Sequence, residues 1–190
     1  TSQVATIVMA HHNIRNGKEP IDPSDNLNHA GNFLYMLNGT IPDQDTIDLM
    51  DKDFVLHADH GSNASAFTAR VVAGTSADIH GAVTAGIAAL SGPSHGGAAE
   101  NVMQMAKDIG KPENAENYVK NLLANRERVM GFGHRVYKAE DPRAGHLREG
   151  VRKLSHQMGE PEWYQILEKV VEAMSPYARR GIHVNVDFFA

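Results

Sequence analysis

The stretch EWYQILEKVVEAM, residues 162–174, sets the reading of the whole chain. Trp163, Ile166, Leu167, Val170, Val171 and Met174 fall at i, i+3, i+4, i+7, i+8 and i+11, the spacing that puts apolar side chains on one face of an α-helix. The same period recurs upstream. Leu147, Val151, Leu154 and Met158 form a second stripe, with Asp141 placed to cap it, Pro142 at its first position and Gly159 just beyond its end. Val102, Met105, Ala106 and Ile109 form a third, closed by Gly110. Ile79, Val83, Ile87 and Leu90 form a fourth, with Ser76 as its expected cap, and its remaining Ala and Gly positions let another helix pack closely. Weaker helical patterns cover about 2–15, 26–37 and 43–56. Strand-like alternation occurs only at Ile182, Val184, Val186 and Phe188, too little for a sheet. The predicted fold class is all-α.

The chain has 190 residues and 42% hydrophobic residues, enough for a substantial core. It has no cysteine, which removes disulfide and thiolate chemistry and fits a reducing, cytoplasmic setting. No apolar run reaches the roughly 20 residues that span a bilayer, so no membrane partner is expected. A net charge of −5 argues against general nucleic-acid binding. The distribution is uneven: residues 1–60 carry three Lys/Arg against nine Asp/Glu, and residues 126–153 carry eight against four. A basic stretch of this kind is either a solvated helix face or a site for a small polyanion. The chain starts at Thr1 and stops in NVDFFA, in mid-pattern, which is expected of a segment of a longer protein.

Three histidine-bearing stretches interrupt the helices: LHADHGSNAS (56–65), SGPSHGGA (91–98) and GFGHRVYKAEDPRAG (131–145). A lone histidine is ordinarily structural, but three in glycine-flanked loops point to chemistry. Gly96 and Gly97 leave room for a ligand beside His95, and the following helix directs its positive end at the imidazole. That field favours a neutral ring, able to donate a hydrogen bond to a carbonyl oxygen and to stabilise an enol formed there, a pattern with precedent in triosephosphate isomerase. His134 lies near Arg143, a pairing suited to a keto-acid: an imidazole for the carbonyl and a planar guanidinium for the carboxylate. Asp187 sits among Val186, Phe188 and Phe189, an apolar setting that raises a carboxyl pKa toward the range of a general base. His57, Asp59 and His60 have spacing that also suits a metal, but without a convincing further ligand, and with an arginine nearby, no metal is expected. The NAS of 63–65 is formally a glycosylation sequon and is set aside for lack of secretory context. The cluster at 91–97 is the expected hinge and domain boundary.

The blocks HADHGSNASAFTARVVAGTSADIHGAVTAGIAALSGPSHGGAAENV, VMGFGHRVYKAEDPRAG and VNVDF resemble those of the citrate synthase family in order and separation. The resemblance implies an all-α, two-domain fold, incomplete at both ends here, with 1–95 in the large domain and 96–190 in the small one. It implies a homodimer when complete, and condensation of acetyl-CoA with oxaloacetate followed by hydrolysis to citrate and CoA. By the same resemblance Asp187 would take the methyl proton, His95 would stabilise the enol, and His134 would polarise the oxaloacetate carbonyl. His60 and Arg143 would hold that substrate. Arg128, Gly131, Gly133, Arg135, Lys138 and Asn185 would receive CoA, with Arg179 and Arg180 nearby. No permanently bound cofactor is implied; CoA is a co-substrate. Alone, the segment is expected to be inactive. The alternatives are a 2-methylcitrate synthase using propionyl-CoA, a citryl-CoA lyase, a histidine-rich metalloprotein, or a non-catalytic binding fragment.

Overall fold

A computed structural model describes every residue except Thr1, Ser62, Pro93, Ser94 and Arg135, and only the backbone of Ser2. The expected CoA contact at Arg135 and the centre of the expected hinge, Pro93 and Ser94, therefore lie outside the described residues. Nine α-helices are found among the described residues, joined by turns and short 3₁₀ segments, as the sequence predicts for an all-α chain. The chain divides into two compact units, Thr1–Asp59 and His60–Ala190.

The first unit contains α1 (Ser2–Arg15), α2 (His29–Asn38) and α3 (Gln44–Ala58). Ala5, Met9 and Met36 form its core, with Phe33 and Leu37 packed against it. Asn13 is 1% exposed and donates from its side chain to the Met36 carbonyl at 2.9 Å, tying α1 to α2. Asn28 and Asp43 cap α2 and α3 by accepting from the Gly31 and Thr46 amides, each of which would otherwise lack a partner.

The second unit begins with a hairpin of α4 (Ala64–Gly74) and α5 (Ile79–Leu90). The small residues of α5 permit this: a Cβ added at Gly86 would come within 3.4 Å of the Ser65 carbonyl and 3.5 Å of the Ala69 side chain. The cap of α5 is Asp78, not the expected Ser76. Asp78 immediately precedes the helix in extended conformation and accepts from Gly81, whereas Ser76 is turned to φ 64° in the preceding bend.

Next come α6 (Ala98–Ile109), α7 (Ala115–Ala124), α8 (Pro142–Gln157) and α9 (Glu162–Met174). On α6 the four predicted stripe residues Val102, Met105, Ala106 and Ile109 are buried, as are Ile166, Leu167, Val170 and Met174 on α9. Each large apolar side chain so buried contributes about 1.5–3 kcal/mol. Trp163 and Val171 are only half-buried, and Met158, the last member of the α8 stripe, is 66% exposed because the helix has ended at Gln157. Asp141 caps α8 as predicted.

After α9 the chain turns through Ser175–Arg180 and returns alongside residues 131–133. Phe132 and Val184 form an antiparallel bridge, flanked by hydrogen bonds from the Gly133 amide to the His183 carbonyl and from the Asn185 amide to the Gly131 carbonyl. The predicted alternation at 182–188 thus gives one bridge, and the chain then tightens into a 3₁₀ turn at Val186–Phe188.

Candidate active site

The bridge between 131–133 and 183–185 brings two predicted site residues to one place. His134 follows one side of it and Asp187 the other, and both line a groove of about 810 Å³ with Arg128, Gly131, Gly133 and Asn185. Asn185 organises the turn: its Nδ2 donates to the Gly133 carbonyl at 3.0 Å, and its Oδ1 accepts from the Asp187 amide at 3.1 Å. Gly131 has φ +75°, and a Cβ there would lie 2.5 Å from Phe188 Cδ2. That glycine is required by the approach of Phe188. Gly133, at φ +85°, has nothing within 4 Å of the corresponding point.

The hydrogen bonds of His134 define its tautomer. Its Nδ1 accepts from the amides of Val136 at 3.1 Å and Tyr137 at 3.0 Å. An atom accepting two N–H bonds carries no proton, so a neutral ring bears its hydrogen on Nε2. Burial lowers the pKa of His134, the Asp141 charge works against this, and His60 and Arg143 add to the lowering. Asp187 also acts on this ring, in the raising direction. The net result is a neutral imidazole whose Nε2–H is a donor.

Two rings stand against it. Tyr137 stacks on His134 with centroids 4.6 Å apart and planes 29° apart, and the His60 ring lies 5.4 Å from His134 and 5.5 Å from Tyr137. Beside them Arg143 grips Asp141: Nε donates to Oδ1 at 3.0 Å and one Nη to Oδ2 at 2.7 Å. Asp141 has no solvent exposure and Arg143 14%. Burial acts to raise the Asp141 carboxyl, but the side-chain and backbone bonds of Arg143 together with its charge outweigh this, and the net pKa is lowered. Two of the guanidinium's five N–H groups are spent on Asp141, which leaves donors for a second anion.

His60, His134 and Asp141 each bring a potential metal-ligand atom within 4.8 Å of the others. Arg143 already engages both Asp141 oxygens and places a fixed positive charge beside the cluster, so these donors suit an anionic substrate better than a cation. Within α3, the Nδ1 of His57 lies 2.9 Å from the Asp53 carbonyl.

His95 is positioned by a different element. Its Nε2 lies 3.0 Å from Ser65 Oγ at the start of α4, and Ser65 in turn donates to Asn63 Oδ1 at 2.8 Å. His95 is not among the described residues lining the groove that holds His134 and Asp187. The expected open space at Gly96 is filled: a Cβ there would run into the Leu90 carbonyl, which accepts from the Gly96 amide. That glycine closes the end of α5. Of the predicted basic contacts, Arg128, Lys138, Arg179 and Arg180 are exposed, and the Lys138 side chain lies against Gly181.

Ser65, Tyr137 and the Arg143-orienting role of Asp141 were not predicted. Asp141 was legible only as a helix cap, although the two-residue spacing in DPR was the available signal.

His134 and Asp187 thus share one groove, and His60 and the Arg143–Asp141 pair stand beside the His134 ring. All 190 residues match the model of the family described as citrate synthase, C-terminal domain. The chain is 46% identical to a citrate synthase of Synechocystis sp. over 100% of its own length and 48% of that protein's. It is 39% identical to a 2-methylcitrate synthase of Mycobacterium tuberculosis, over 96% of the chain and 46% of the relative. The structure matches a citrate synthase of Thermoplasma acidophilum, solved as a ternary complex with carboxymethyl coenzyme A and oxaloacetate, with TM-score 0.89 and 34% identity over 99% of this chain and 49% of that one. The chain belongs to the citrate synthase family, and it spans about half the length of the curated relatives it matches.

Proposed function

We propose that this chain carries catalytic residues of a citrate synthase, which condenses acetyl-CoA with oxaloacetate and hydrolyses the citryl thioester to citrate and CoA. The observation that supports this most is His134: its doubly accepting Nδ1 leaves a neutral Nε2–H donor on the groove that Asp187 also lines. In this reading Nε2–H polarises the oxaloacetate carbonyl, while His60 and the remaining N–H groups of Arg143 hold the carboxylates. Asp187 removes a methyl proton of the thioester. That proton is a very weak acid, so the charge forming on the thioester oxygen must be stabilised as it develops, and His95 does this from Nδ1. Donation from Nδ1 of a neutral His95 requires Nε2 to accept, so the Ser65 hydroxyl swings its hydrogen from Asn63 to the imidazole.

Arg128, Arg135, Lys138 and the backbone near Gly131, Gly133 and Asn185 receive CoA, which acts as co-substrate; no permanently bound cofactor or metal is called for. The domains meet near residue 95 and close over the substrates, excluding water from the enol. The apolar outer side of α4 and α5 fits a homodimer of the full-length protein. Among the described residues no helix is long and apolar enough to cross a membrane, and we place the enzyme in the cytoplasm.

Steady-state release of CoA from acetyl-CoA and oxaloacetate by the full-length protein tests the proposal, with propionyl-CoA in parallel. Turnover preferring acetyl-CoA is expected. Preference for propionyl-CoA assigns 2-methylcitrate synthesis, and no turnover with either thioester refutes condensation. This 190-residue segment alone is expected to show little or no turnover.

A further inference from the structure

Arg148 lies on α8, outside the groove, and none of the roles above uses it. Its guanidinium makes a bidentate pair with Glu168 of α9, from Nε to Oε1 at 2.9 Å and from Nη2 to Oε2 at 2.6 Å. The same group sits over the Phe189 ring, 5.8 Å from its centroid, within the range of a cation–π contact. From Phe189 a run of edge-to-face rings continues inward. Phe189 meets Phe188 at 5.0 Å and 89°, and Phe188 meets Phe132 at 5.0 Å and 71°. Phe188 is 1% exposed and Phe189 3%. Phe188 directly follows Asp187, and Phe132 lies two residues before His134.

These contacts form one mechanical path. The ion pair fixes the guanidinium plane between two helices, that plane seats Phe189, and the ring run sets Phe188 against the glycine at 131. The turn carrying the acid and the loop carrying the imidazole are thereby indexed to each other. We infer that Arg148 is a positioning residue for the condensation reaction, holding Asp187 in register with His134 through Phe189 and Phe188. This rests on the function proposed above.

Lysine cannot replace it. An ammonium keeps the charge but lacks the planar fork and the flat face that the site uses together. A misplacement of about 1 Å in a reacting group lowers rate by up to about 100-fold. In the full-length protein, R148K and F189L are each expected to lower kcat roughly 10-fold, with KM for both substrates nearly unchanged, because the loss falls on proton removal and not on binding. The decisive readout is the primary isotope effect on kcat with methyl-deuterated acetyl-CoA. It is expected to rise in both variants as proton removal becomes limiting, and the double variant is expected to be no slower than the slower single one, since both cut the same path.

Loss of folded protein alone would lower the rate and leave the isotope effect at the wild-type value, and that result overturns the inference, as does wild-type kcat in both variants. F189L keeps the Arg148–Glu168 pair and so serves if R148K does not fold. Absence of condensation by the unsubstituted protein overturns the functional reading and this inference together; wild-type condensation with unchanged isotope effects overturns this inference alone.

Discussion

Helix α5 of the α4–α5 hairpin and helices α6 and α9 were read from the same apolar period, but their apolar residues have opposite fates. On α6 and α9 the stripes are buried within the chain. On the hairpin Phe67, Val71, Ile79, Val83 and Ile87 are 52–73% exposed, and only Ala82 of α5 is buried. Period therefore reports helix in both regions, but burial in only one. A stripe covered by its own chain builds a site frame. A stripe left facing outward is a surface for something further, here proposed to be a second copy.

The chemistry tests that contrast most strongly. The acid at 187 stands on the frame side, so D187N is expected to lower kcat by about 10²–10⁴-fold, typical of losing a general base. Circular dichroism and melting temperature should remain near wild type; a collapse of the fold would mean that the carboxylate is structural.

Within the frame, G131A drives a Cβ into Phe188 at a position with φ +75°, and about 1–3 kcal/mol of destabilisation is expected in denaturant unfolding. G133A meets no neighbour and carries only the backbone strain of φ +85°, so it should cost less. Equal losses for the two would show that Phe188 yields without resistance.

A smaller effect follows from His134. Its folded pKa lies below the ordinary imidazole value of 6.5. As pH falls through that value, the unfolded chain takes up a proton that the folded ring does not, so stability declines until the lowered folded pKa is passed and is independent of this group above neutrality. Melting curves between pH 8 and about pH 5 are expected to show this slope, and H134Q should flatten it.

The mildest expected change lies on the hairpin. I87K, at a side chain 62% exposed, should alter unfolding of the isolated chain by no more than about 0.5 kcal/mol. In sedimentation of the full-length protein it should shift dimer to monomer. Strong destabilisation of the isolated chain would mean that the two regions do not differ as described.

The apolar period carried the helices that were legible, and at α8 the cap, the first-turn proline and the closing glycine all agreed; no stripe was read for α4 or α7, and α6, α7 and α9 have no side-chain cap. Ser76 failed because two capping residues stood close together, and period does not fix where a helix begins to better than a residue or two. At the site, residue type and loop setting singled out His134, Arg143 and Asp187. The contact of Ser65 with His95 crosses 30 residues, and the stacking of Tyr137 arises from a local loop conformation. Neither follows from a period, because both depend on where the backbone turns.

The bridge linking 131–133 to 183–185 joins segments about 50 residues apart, as in the Asn185 bond to Gly133 across 52 positions. Closing a loop of that length carries an entropic cost, which the packing of α8 and α9 offsets. The amide hydrogens of Gly133, Asn185 and Asp141, all committed across this seam, are thus expected to exchange with solvent at a single shared rate, as one foldon. The reactive groups would then gain and lose their alignment as a unit, so that a partly opened molecule is catalytically silent before it is unfolded.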